Sequence, residues 1–149
     1  MKKFQFKMQK ILDLRKFEQQ QAEAELGIAN AEVARIQREL DNIAMQKVRT
    51  SKANEGQTDF YILTQMERYF VGLDIKKEIF LQEMVQAQMV ADEKRAVVLE
   101  CMKKTKSLEK LRDKHFEAWK KEILRQEEIM VDDVVTAKFH SESSENLTR

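Results

Sequence analysis

Residues 22–47 run AEAELGIANAEVARIQRELDNIAMQK, and their spacing decides the fold. Ala22, Leu26, Ala29, Val33, Ile36, Leu40 and Ile43 follow one another at alternating steps of four and three. A sustained repeat of about 3.5 residues keeps one stripe facing a partner helix and specifies a left-handed coiled coil. Glu23, Glu25, Glu32, Arg35, Arg38 and Glu39 fill the positions between as a solvated charged face. A helix built this way needs a second helix to cover its seam.

The composition points to long helices. The chain has 149 residues, of which 36% are charged and 7% aromatic, with three glycines and no proline. Glycine and proline are what turns need and helices exclude, so a many-turned mixed fold is ruled out. Hydrophobic residues make up 42%, too many for a disordered chain, but they lie in stripes that imply a thin seam rather than a deep core. The net charge is +1, with acids and bases interleaved at helical spacing, so no nucleic-acid partner is expected. Two stretches are locally basic: Lys2, Lys3, Lys7, Lys10, Arg15 and Lys16 against Asp13 alone, and Lys103, Lys104, Lys106, Lys110, Arg112 and Lys114 diluted by Glu109 and Asp113. The lone Cys101 cannot form an internal disulfide, which fits a reducing compartment. The N-terminus lacks the apolar stretch of a signal peptide, and no apolar run approaches the ~20 residues of a membrane span.

Working outward from the seam, helix 1 is expected from about residue 3 to residue 49. Phe4, Met8, Ile11 and Leu12 open its stripe, Leu14 and Phe17 widen it, and Arg15 and Gln19 are polar seam positions. Residues 50–58 hold Ser51, Asn54 and Gly56 without a large apolar side chain, and are the expected turn. Thr58 is the expected N-cap of helix 2, with Asp59 in its first turn. Helix 2 is expected from residue 59 to about 138, with seam residues Phe60, Leu63, Phe70, Leu73, Phe80, Met84, Ala87, Ala91, Val98, Cys101 and Leu108. Lys77, Lys94 and Thr105 interrupt that seam; Phe116, Trp119, Ile123, Met130, Val134 and Ala137 resume it. Gly72 is a possible break, and residues 141–149 form a polar, frayed tail. The fold class is all-α: an antiparallel two-helix coiled-coil hairpin with a longer second helix, in a single domain spanning residues 1–149. At 1.5 Å per residue the helices are roughly 70 and 120 Å long, so helix 2 should stand uncovered beyond about Thr105.

Catalytic chemistry finds no footing in these residues. His115 and His140 have no second His or Cys one helical turn away, and Glu127, Glu128, Asp132 and Asp133 read as a solvated acidic face. There is no glycine-rich phosphate loop. A two-helix hairpin encloses no pocket from which water is excluded. The chain is expected not to be an enzyme and to carry no metal or cofactor.

Three features resemble the flagellar FliJ family, small coiled-coil components of the bacterial flagellar type III export apparatus. One is the opening Phe4-Gln5-Phe6-Lys7-Met8-Gln9-Lys10-Ile11-Leu12-Asp13-Leu14-Arg15-Lys16. The others are the length with its hairpin layout, and Leu108-Glu109-Lys110-Leu111 followed by Trp119, Arg125, Gln126, Glu127, Glu128 and Asp132-Asp133, where Asp133 stands in place of the family's usual Glu. The resemblance implies a fold similar to the rotary ATPase γ stalk and a role in flagellar protein export as a stalk and chaperone-escort protein. It implies contacts with the hexameric export ATPase, with the export gate membrane protein and with export chaperones. It also implies a cytoplasmic protein, associated peripherally with the inner membrane through that apparatus. Tyr69, Phe70 and Leu73 near the turn are the expected gate-side contacts. Phe116, Trp119, Ile123 and Met130 on the uncovered stretch are the expected ATPase-side contacts. The alternative is a structural coiled-coil scaffold, which would pair parallel identical chains; the turn instead predicts a self-paired monomer without membrane insertion.

Overall fold

A computed structural model describes residues 2–148, and its two helices are α1, Gln9–Ala53, and α2, Phe60–Leu147. No strand occurs among the described residues. The helices pack antiparallel as a hairpin with the longer helix second. The chain divides into two compact units: Lys16–Lys103, and the residues up to Arg15 together with those from Lys104 onward.

Within Lys16–Lys103 the heptad seam is closed by the chain's own second helix. Ala22, Ala29, Ile36 and Ile43 of α1 are buried, as are Leu73, Ala91 and Val98 of α2. Leu26, Val33, Leu40, Phe70, Phe80, Met84, Ala87 and Cys101 are half-buried along the same stripe. Ion pairs fix the register across the seam: Glu25 with Lys94 at 3.0 Å, Arg35 with Glu83 at 3.8 Å, and Lys47 with Asp74. Each is solvated and contributes about 0–1 kcal/mol, so their value is in selecting the register rather than in stability. Gly72 does not interrupt α2.

The turn corrects the expected boundaries. α1 continues four residues past the expected end at residue 49, to Ala53. Asn54 then closes it, its amide donating to the Thr50 carbonyl from the side chain at 2.9 Å and from the backbone at 3.2 Å. Gly56 takes φ +77°, a conformation that costs a residue with a Cβ about 1 kcal/mol or more. The N-cap of α2 is Asp59 rather than Thr58: its Oδ1 accepts the Tyr61 amide at 2.9 Å, and its carbonyl accepts that of Leu63 at 3.0 Å. The cross-seam pairings set Ala53 near Glu67, so the start of α2 runs past the end of α1. Phe60, expected in the seam, is therefore 83% exposed, and Tyr61 70% exposed.

In the other unit, residues 2–6 are not helical and α1 begins at Gln9. Lys3-Phe4-Gln5-Phe6-Lys7 alternates polar and apolar residues, the period of an extended chain, whose side chains point to opposite sides in turn. Burial follows that alternation: Phe6 is buried and Phe4 half-buried, while Lys3, Gln5 and Lys7 are exposed. Phe4 meets Phe116 edge-on at 5.2 Å and lies 5.9 Å from Trp119, and Phe6 meets His115 at 5.5 Å. Phe116 and Trp119 stack at 5.7 Å, and Lys120 Nζ lies 4.6 Å from the centre of the Phe116 ring. Leu12 and Thr105 are buried below this cluster. The expectation that α2 is uncovered beyond Thr105 is thus overturned; exposure becomes continuous from Leu124. An extended segment advances about 3.3 Å per residue where a helix advances 1.5 Å, so the first residues reach farther along α2 than a helix of the same length.

α2 also outlasts its expected end near residue 138. Ser and Thr hydroxyls in its last turns donate to carbonyls three or four residues back, Ser141 to Lys138 and Ser144 to Ser141 at 2.8 Å each. These bonds are satisfied within a helix, and the polar tail stays helical to Leu147.

Candidate functional site

The candidate residues fall into two sets. Near the turn, Tyr69 is exposed and Phe70 half-buried, with ring centres 6.3 Å apart. Leu73 is buried in the seam at 4% exposure. Phe60 and Tyr61 add a more exposed aromatic pair that the sequence reading missed. The signal was available: two aromatic residues directly follow the capping Asp59, before the first in-phase leucine, Leu63.

On the later part of α2, Phe116, Trp119 and Ile123 are half-buried against the N-terminal segment, whereas Met130 is 66% exposed. The structure therefore brings Phe116 and Trp119 into ring contact with Phe4, and leaves Met130 largely in solvent at the far margin of the same groove. An open groove of about 1000 Å³ lies between residues 2–7 and α2; Phe4, Trp119, Ile123 and Met130 form its apolar part and Lys2, Lys3 and Glu127 its charged margin. Beyond it Val131, Val134, Val135 and Phe139 are all more than half exposed. The seam spacing continues through Ile123, Met130, Val134 and Ala137 with no α1 opposite. A helix that carries its apolar stripe past its partner offers it to another partner.

No group of three or more His, Cys, Asp or Glu among the described residues could hold a metal ion. His115 packs on Phe6, and Cys101 is a half-buried seam residue. No helix among the described residues is long and apolar enough to cross a membrane.

A family model described as Flagellar FliJ protein matches residues 4–144. The chain belongs to the FliJ family. Membership makes this FliJ-family chain a component related to flagellar protein export. No match was found among curated proteins or among solved structures. The matched region takes in Phe4, Gln5 and Phe6 of the opening segment and the exposed stripe of this FliJ-family chain.

Proposed function

We propose that this FliJ-family chain is the stalk and escort element of the export apparatus. It binds the hexameric export ATPase through the exposed stripe of α2 and promotes the coupling of ATP hydrolysis to export. The observation that carries the reading is the seam continuing through Met130, Val134 and Ala137 after the N-terminal segment has run out. A groove on a partner accepts an amphipathic helix by this i, i+4, i+7 spacing. Phe116, Trp119 and Ile123, at the edge of that stripe, join the contact. Near the turn, Tyr69 and Phe70, with Phe60 and Tyr61, face the export gate membrane protein, and Leu73 holds the seam beneath them. Export chaperones are further partners. The free chain is a monomer, works in the cytoplasm and reaches the inner membrane through the apparatus.

Capture of the tagged full-length chain from a lysate of its own cells tests the reading. The export ATPase should co-purify, and the purified chain should raise the ATPase rate while hydrolysing no ATP itself. A chain that hydrolyses ATP alone, or leaves the partner's rate unchanged at saturation, refutes it.

A further inference from the structure

Most of the two basic stretches of the sequence lies in one unit of the structure, all but Lys16 and Lys103, and on one side of it Lys7 of the first meets a lysine-bearing face of the second. In Lys16–Lys103 the flank is marked by Arg35 and Glu83, each one residue before a seam position, which pair across it. The same rule in the other unit sets Ile11, before buried Leu12, on the flank with Lys104, before buried Thr105. Lys114 and Ala118 precede His115 and Trp119, which pack on Phe6 and Phe4, and so share that flank. Lys7 lines the same groove as Ala118.

From Lys104 to Arg125, steps of three and four along this flank give Lys, Ser, Leu, Lys, Ala, Lys and Arg, with no acid. α1 adds Ile11 and Leu14, 45% and 52% exposed. Glu109, Asp113 and Glu127 belong to another register, the set that starts at Lys106 with Phe116 and Lys120, and Asp13 lies on the matching side of α1. Glu117 borders the flank one turn from Lys114 and Lys121, and pairs with Lys120 at 3.5 Å. Lys114 and Lys121 have no acidic side chain within 4 Å among the described residues. A net charge of +1 for the whole chain conceals this segregation.

We propose that this flank rests directly on an anionic lipid surface. Lysines interleaved with exposed aliphatic side chains on a flat two-helix face are the pattern of an interfacial element: the aliphatic groups enter the headgroup boundary and the ammonium groups meet anionic headgroups. Nucleic acid is the less suited polyanion. Lysine can neutralise phosphates, but bidentate phosphate contact favours arginine and single-strand binding adds aromatic stacking, whereas this flank carries one arginine, Arg125, and has Phe116 in the opposite register. The contact adds a direct, peripheral membrane attachment to whatever the export partners provide, and does not depend on the proposed ATPase contact.

Sedimentation of the full-length protein with phosphatidylglycerol vesicles, and separately with phosphatidylcholine vesicles, tests the proposal. The protein should sediment with the first and stay in solution with the second. Lys104→Gln with Lys114→Gln should weaken the binding on the order of thirtyfold, the loss of two lysines near an anionic surface. Lys106→Gln with Lys110→Gln makes the same charge change off this register and should shift it by less than about threefold. Ile11→Ser with Leu14→Ser should weaken it at unchanged far-UV helicity, which keeps the test valid if a lysine variant misfolds. Absence of binding to phosphatidylglycerol, or equal loss in the two lysine pairs, overturns the proposal. So does binding to duplex nucleic acid, in place of vesicles, through Lys104 and Lys114.

Discussion

Ile36 is 1% exposed and Leu12 fully buried, and these two side chains show what a thin seam can hold. Ile36→Ala should cost roughly 2–5 kcal/mol, toward the lower end because a two-helix seam can relax around the cavity. Ile28, 72% exposed on the same helix, should change stability by no more than about 0.5 kcal/mol when cut to Ala. Urea denaturation of both variants checks the contrast. Glu32 and Arg35 give a pH-dependent counterpart. The hydrogen bonds of the Arg35 guanidinium to Glu32, at 2.7 and 3.0 Å, hold the carboxyl below its ordinary value of 4.5. A lowered folded-state pKa means that the pair's contribution is present above the unfolded carboxylate range and is lost as pH falls through the folded value. Both groups are solvated, so the effect is small. An NMR titration should place the Glu32 midpoint below 4.5 and find it raised in Arg35→Gln.

The elements were legible in the sequence to different degrees, and physical reasons separate them. The α1 seam could be read residue by residue, because a heptad repeat records which face is covered whatever covers it. The register could not, because it depends on how the turn climbs between helices. Folding symmetrically about a turn at residues 50–58 would set Ile36 against about residues 71–76, whereas the Arg35–Glu83 pairing sets it against the neighbourhood of Met84. In a Cys101→Ser background, Ile36→Cys with Met84→Cys should therefore cross-link within one chain. Ile36→Cys with Leu73→Cys, about 16 Å out of register, should not. The opening segment was misread as helix because Met8, Ile11 and Leu12 lie at helical spacing, while the alternation of Phe4 and Phe6 covers too few residues to compete with it. That segment carries its own prediction. Phe4 lies against Trp119, the single tryptophan, so the isolated protein should emit at shorter wavelength than solvated tryptophan, and Phe4→Ala should shift the emission to the red.

At the scale of the molecule, the seam outruns its own partner. The candidate stripe was legible from residue spacing, but its start was not: the structure moves the onset of continuous exposure from Thr105 to Leu124. Phe116 and Trp119 consequently lie partly covered, and Met130, Val134 and Val135 form the freer surface. The direct measurement is the affinity of the full-length chain for its purified export ATPase, compared with that of Met130→Ser with Val134→Ser. Burying two such side chains is worth roughly 1.5–3 kcal/mol each. The account predicts that the wild-type chain binds and that the double variant, with unchanged helicity, loses affinity by at least tenfold. Equal affinity of the two, or no binding by the wild type, contradicts it.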